Sequence, residues 1–447
     1  MYEQVQVGFA INPCRGISNP ANPVRRQPRN GRAVHLGLAH EVVQTVFCCK
    51  RIDAGLMMSN TSGSAKPRPS PPHESIRALL RTGRNDEAIV QLCALQITQP
   101  SDLVAKELLF DAFFQKRDWV PALVLAEQLA EQQPGIARLE KALTATLSNM
   151  QRYDETIVQA ARYIERHGED LTMLDALKVA CFYTGKVDEA VRYGQRALDI
   201  RDVEASRNAL PNPMTEPKGP PSGHNVISFS LWGSAPFYGY GAMINLVLSR
   251  TAYPGWSCRY YVDATVPRPC VAYLRDNGAD VRNMEDEYPG VGLFQRFLVM
   301  NDPAVGRFLV RDCDARLSQA EADLVQQWIE SDYPFHVVRD HVLHNELMIG
   351  CTWAGRTDCG IDMVELMQRY FSSTSGPTAR YGHDQRMLGL LLWPLIRKHS
   401  LVHDKYYRLP GVDTVPLRNP NSNFGAGHQN INAVLAEVES LGIPRLL

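Results

Sequence analysis

The chain has 447 residues, 45% of them hydrophobic and 21% charged, with a formal net charge of −1. That length calls for two or three folding units, and the composition is ordinary for a globular protein with sizeable cores. A charge near zero excludes a general nucleic-acid binder, which needs a dominant basic field. No run of about 18 apolar residues offers a membrane span, and the first thirty residues lack the apolar core of a secretory leader.

Residues 1–73 carry nine Lys or Arg against three Asp or Glu, so the head is basic and the remainder acidic. The head has no sustained periodicity, and Ser62–Pro72 (SGSAKPRPSPP) reads as flexible filler. Met57 or Met58, just before that filler, is expected to be the true start, because residues 1–56 read as neither a domain nor a targeting signal. Ten cysteines are scattered with no CxxC pair, a usage that points to a reducing cytosol, hence a cytoplasmic protein, and away from a disulfide frame or zinc ribbon.

Residues 74–202 read as helix, with apolar positions three and four apart, as at Ile76, Leu79 and Leu80. A longer period overlies them. Asp86-Glu87-Ala88-Ile89 returns 34 residues on as Val120-Pro121-Ala122-Leu123, then as Asp154-Glu155-Thr156-Ile157 and Asp188-Glu189-Ala190-Val191. Pro100 and Pro134 keep the same interval, and Gly83 and Gly185 share a phase that Arg117 and Gln151 occupy in the middle repeats. This spacing resembles the tetratricopeptide (TPR) repeat, here about four copies of a helix pair that buries its apolar face only by stacking on neighbours. Such an array offers a surface for a partner or acceptor, or serves as a spacer. Residues 203–223, rich in Pro, Asn and Gly, read as a linker.

From 224 to about 420 short apolar strands alternate with helices: strands at Val226–Leu231, Cys258–Val262, Arg307–Val310 and Phe335–Val338, helices at Met243–Thr251, Val271–Asn277, Gln319–Glu330, Asp362–Phe371 and Gln385–Leu392. The alternation predicts an α/β domain with a mostly parallel sheet, whose ligands lie beyond the carboxyl ends of the strands. At one such end stand Asp312 and Asp314, two residues apart and so directed to one side of an extended chain. Paired carboxylates there suit a hard divalent cation, able to bridge the oxygens of a diphosphate. Cys313 between them faces the other way, into apolar surroundings. Ser318 and Glu321 follow as a capping box for the next helix.

The segment from Val226 to about Arg408 resembles bacterial glycosyltransferases of the GT-A fold, a Rossmann-like nucleotide-diphospho-sugar transferase architecture. The likeness is carried by Ser230-Leu231-Trp232-Gly233, Leu293-Phe294-Gln295-Arg296-Phe297, Arg311-Asp312-Cys313-Asp314-Ala315-Arg316-Leu317-Ser318, Val338-Arg339-Asp340-His341, Leu347-Met348-Ile349-Gly350 and His383-Asp384-Gln385. The resemblance implies a metal-dependent transfer of sugar from a nucleotide-diphosphate sugar to an acceptor, protein or glycan. It implies Mn²⁺ or Mg²⁺ on Asp314, with Asp312 on metal or ribose and His403 as a third ligand. Leu231 and Trp232 would hold base and ribose, Arg296 and Arg311 the diphosphate, and Gly350 would let the donor sugar approach the backbone. Asp384 or Asp340 would be the general base toward the acceptor if the reaction inverts. His341 and His344 are read as acceptor-side or structural. The tail from 421 would close over the site or pack elsewhere. The competing reading is a TPR scaffold whose transferase domain is degenerate; a metal-dependent phosphohydrolase would need more ligands at one strand end than the sequence offers.

Overall fold

The computed structural model describes residues 71–208, 214–285, 292–374, 382–418 and 422–446. The expected N-terminal extension falls, up to residue 70, outside the described residues. The described chain divides into two compact units, one ending at Thr184 and the other starting at Gly185.

The first unit is a run of antiparallel helices: α1 (Pro71–Arg81), α2 (Asn85–Thr98), α3 (Leu103–Gln115), α4 (Trp119–Gln132), α5 (Ala137–Asn149), α6 (Tyr153–His167) and α7 (Leu171–Tyr183). The second unit opens with α8 (Val187–Arg207). The starts of α2, α4, α6 and α8 fall 34 residues apart, at 85, 119, 153 and 187. The small residues of the repeat, Ala88, Ala122, Thr156 and Ala190, are all fully buried. Thr156 manages this by donating its hydroxyl to the Arg152 carbonyl at 3.0 Å. The turn before each of these helices is left-handed in all four copies: Gly83 at φ 74°, Arg117 at 58°, Gln151 at 60° and Gly185 at 80°. Arg117 and Gln151 are the non-glycine residues with positive φ among the described residues, so the turn keeps its geometry where its glycine has gone.

The compact-unit boundary lies earlier than the 203–223 linker expected from composition. Helix α8 runs to Arg207 and sends Leu198 and Ala205, both buried, into the apolar core of the second unit. Asp202 accepts from Trp393 Nε1 at 2.8 Å and pairs with Arg397 at 2.7 Å.

Next come β1 (His224–Leu231), α9 (Pro236–Ala252), β2 (Trp256–Val262), α10 (Arg268–Asp276), β3 (Asp280–Asn283) and α11 (Gly292–Gln295), which passes into a 3₁₀ turn, Arg296–Asn301. After them stand β4 (Val305–Asp312), α12 (Gln319–Ile329), β5 (Phe335–Arg339), β6 (Trp353–Arg356), α13 (Met363–Ser373) and α14 (His383–Met387). A π-turn, Leu388–Leu392, joins α14 to α15 (Trp393–Ile396), and β7 (Ser400–Asp404), β8 (Thr414–Pro416) and α16 (Ile431–Ser440) complete the unit. The strands form one sheet in the order β3-β2-β1-β4-β6-β5-β7-β8. All neighbours run parallel except β6, which is antiparallel to both β4 and β5. From β1 the chain winds outward to β3, then returns to lay β4 on the other side of β1. The carboxyl ends of β1 and β4 therefore flank a topological switch point, where an open sheet leaves a crevice for a ligand.

Alternation along the strands builds a core on each face. Val226, Phe308 and Val310 pack with the 3₁₀ turn, α8, α13 and α15. Ile227, Phe229, Leu231 and Leu309 pack with α9, α10, α12 and α16. The tail beyond 421 thus belongs to the second unit: Val434, Val438 and Ile443 join the latter core.

Candidate functional site

The parallel register pairs Ser230 with Asp312, so β1 and β4 end side by side. Asp312 shares a face with Val310 and Phe308, and on that face sits the 3₁₀ turn that starts at Arg296. Ser228 and Ser230, two apart on β1, fix this residue by its backbone. The Ser228 hydroxyl donates to the Arg296 carbonyl at 2.6 Å, and the Arg296 N–H donates to Ser230 Oγ at 2.8 Å. The buried guanidinium then reaches two carboxylates, Asp312 through Nη1 and Asp384 through Nη2 at 2.7 Å. Burial works against its charge, but Asp312 and Asp384 outweigh that and hold its pKa above the ordinary value. Burial pushes the Asp384 carboxyl up despite Arg296. Gly350 lies against this pair. A Cβ built there would overlap Asp384 Oδ2 and stand 3.0 Å from Arg296 Nη2. The missing side chain makes room for an internal ion pair, where the resemblance implied room for a donor sugar.

Asp314, just past the strand, is buried and differently placed. Gln429 Nε2 donates to its Oδ2 at 3.0 Å, and the His428 N–H donates to its carbonyl at 2.9 Å. Burial, with the charge of Asp312 beside it, raises its pKa from 3.8 to about 6. The loop that carries it is held from α9. Asn245 Nδ2 donates to the carbonyls of Cys313 and Ala315 at 3.1 and 2.7 Å, and Asn245 Oδ1 accepts from the Leu317 N–H at 3.1 Å. Gly241, one turn earlier, passes so close that any Cβ would overlap the Cys313 carbonyl. Cys313 itself is buried, as expected. Trp232, at the end of β1, is 41% exposed, and its ring covers Gly292; Leu231 before it is a core residue.

Several expected site residues are employed elsewhere. Arg311 is one residue from Asp312 and so points to the opposite face. There it pairs with buried Glu321 at 2.8 Å and donates to the Val310 carbonyl at 2.7 Å. Ser318 does cap α12, accepting from the Glu321 N–H at 3.3 Å. The capping box is not reciprocated, because the Glu321 carboxylate goes to Arg311 and accepts the Tyr253 hydroxyl at 3.1 Å. Asp340 accepts from His344 Nδ1 at 2.8 Å and from the Phe424 N–H. Burial works against its charge, but His344 and Phe424 keep its pKa below the usual carboxylate range. It anchors the C-terminal segment. His403 is buried, in contact with His336 Nε2 at 2.7 Å and Gln327 Oε1 at 3.1 Å, and burial takes its pKa down to about 4. Its partners are on β5 and α12, not in the Asp314 loop. The histidine that does touch the loop is His428, through its backbone.

A divalent cation can be tested against this donor set. Asp312 and Asp384 share the Arg296 guanidinium, and Asp314 nearby has an amide rather than a cation as its side-chain partner. That excess of negative charge, carried by hard oxygens, suits Mg²⁺ or Mn²⁺. Among the described residues no three His, Cys, Asp or Glu side chains converge as a metal cage. Mg²⁺ commonly takes one or two carboxylates and fills its sphere with phosphate oxygens and water, so the pair fits without a cage.

No family model and no curated protein matches the chain. Among solved structures it is similar to MamA of AMB-1, 17% identical with a TM-score of 0.29 over 38% of this chain and 94% of MamA. It is similar also to MamA of MSR-1, at 21%, TM-score 0.27, 31% and 79%. An O-GlcNAc transferase mutant of Thermobaculum terrenum aligns over 85% of this chain and 74% of its own, 13% identical, with a TM-score of 0.34. Likeness at these scores carries no argument; the fold stands on the repeat spacing and the strand order. No helix among the described residues is long and apolar enough to cross a membrane, and no disulfide links the described cysteines.

Proposed function

We propose that the second unit is a cation-dependent glycosyltransferase of the GT-A type, acting on a nucleotide-diphosphate sugar. The observation that carries the reading is the Asp312–Asp314 pair at the carboxyl end of β4, beside the β1 end at the switch point. The single reversed strand β6 within an otherwise parallel sheet supports the fold assignment. Asp314 and Asp312 would hold Mn²⁺ or Mg²⁺, which when bound neutralises the diphosphate as it leaves. Trp232 offers an exposed ring at the crevice on which a flat base can lie. Arg296 orients Asp312 and Asp384 rather than meeting phosphate alone. Of the two carboxylates considered as base, Asp384 suits the role better: it lies in the cluster beside Asp312, and burial raises its pKa despite Arg296. Asp340 is committed to His344 and the C-terminal segment. The TPR helices supply a surface for an acceptor protein or other partner.

The test is release of UDP from a panel of UDP-sugars with Mn²⁺, comparing wild type with Asp314→Ala. Turnover of one sugar that disappears in the variant is expected. If UDP-, GDP- and dTDP-sugars neither turn over nor bind, the chain is a TPR interaction protein and the transferase reading is wrong.

A further inference from the structure

The C-terminal segment is pinned on both sides of the Asp314 loop. Upstream, the Phe424 N–H is bonded to Asp340. Downstream, α16 is packed in the core, and its Glu437 accepts from Arg316 Nε at 2.9 Å. Arg316 Nη1 in turn donates to the Asp314 carbonyl at 3.2 Å. Between these anchors the His428 N–H also holds the Asp314 carbonyl. The backbone of residues 424–429 is therefore positioned against the loop by contacts that leave the Asp314 carboxylate aside. What touches that carboxylate is the half-buried side chain of Gln429.

We propose that Gln429 is a ligand of the cation, through its carboxamide oxygen; this rests on the reading of Asp312–Asp314 as a cation site. A carboxamide is nearly symmetric, and a half-turn about its last bond exchanges NH₂ for C=O. Without a cation, Nε2 faces Asp314 and hydrogen-bonds it. With one, the half-turn presents Oε1 from the same position. The separation suits the exchange: Nε2 lies 3.0 Å from Asp314 Oδ2. Two oxygens at adjacent corners of an octahedron with bonds of 2.0–2.1 Å are about 3 Å apart. Gln429 and Asp314 thus need no backbone movement to turn two oxygens toward one cation. A neutral third donor also leaves more of the cation's positive charge for a diphosphate than a third carboxylate would.

Mn²⁺ binding to the whole chain, without nucleotide, can be read from the electron paramagnetic resonance signal of free Mn²⁺. Wild type, Gln429→Ala, Gln429→Glu and Asp314→Ala are compared, each first checked for an unchanged far-UV circular dichroism spectrum. Gln429→Ala is expected to bind on the order of tenfold more weakly, Gln429→Glu at least as tightly as wild type, and Asp314→Ala not measurably. Undiminished binding by Gln429→Ala, with loss in Asp314→Ala, would overturn the ligand role and leave the cation site standing. Weaker binding by Gln429→Glu than by Gln429→Ala would also overturn it. Absence of Mn²⁺ binding in wild type would remove both the ligand and the cation site.

Discussion

Replacing Asp314 by Asn should stabilise the cation-free chain near neutral pH. In the folded chain the Asp314 carboxyl titrates near 6 rather than 3.8, because burial and Asp312 both oppose its charge. A group with a raised folded-state pKa adds stability below its unfolded pKa and loses it as pH rises through the folded value. The interval corresponds to about 3 kcal/mol by pH 7.5, which Asn, never ionised, does not lose. Asn can still accept the Gln429 hydrogen bond, so the comparison isolates the charge. Five of the six tryptophans lie beyond Gly185, Trp119 being the exception, so tryptophan fluorescence in urea chiefly follows the second unit. Asp314→Asn should shift the midpoint upward at pH 7.5, with the gap shrinking through pH 6 and closing near pH 4. Equal stability at pH 7.5, or a gap indifferent to pH, would refute the account of Asp314 as an uncompensated buried charge. Confirmation would show a residue retained against its own folding cost, as expected of one that serves a ligand.

Arg117→Gly and Gln151→Gly should each stabilise the first unit by roughly 0.5–1 kcal/mol, since both sit at left-handed φ that costs an L-residue about that much or more. Urea unfolding followed by helical circular dichroism checks this, and a loss of stability in both variants would contradict it. Gly350→Ala should cost about 1–3 kcal/mol by pushing a methyl into the Arg296–Asp384 pair. Thermal melts in a double-mutant cycle with Asp384→Ala should show the cost falling once that carboxylate is gone; additive effects would mean that the strain lies elsewhere.

Much of the architecture was legible because it is periodic. The 34-residue interval located every second helix, and the short run Arg307–Val310 marked the strand whose observed end is Asp312. Alternation could also have excluded Arg311, since adjacent strand residues cannot share a face with one ligand. The chemistry of the type was right for Arg311, but its phase was wrong. Glu321 looked like half of a capping box because local spacing does not reveal the buried Arg311 guanidinium that awaits it from β4. The reversed strand β6, four residues long, carries no hairpin signal next to it. His403 as a third ligand rests on the resemblance alone, and nothing in its local sequence marks it as one. The contact of Gln429 with Asp314 spans 115 residues and leaves no mark in either local sequence. Asn245, a buried amide inside an apolar helix, was the nearest thing to a visible signal for what orders the loop, because such a group must find partners.

Helix α8 puts the repeat period and the folding units out of step by one helix. Its start keeps the 34-residue spacing of the solenoid, yet Leu198 and Ala205 fill the core behind the sheet and Asp202 braces it through Trp393. The second unit cut at the composition-defined linker would therefore lose Leu198 and Ala205 from its core, and a solenoid cut there would carry away a helix that packs in the other unit. A cut that keeps the second unit whole has to fall before Val187, so that Asp202 stays with Trp393 and Arg397.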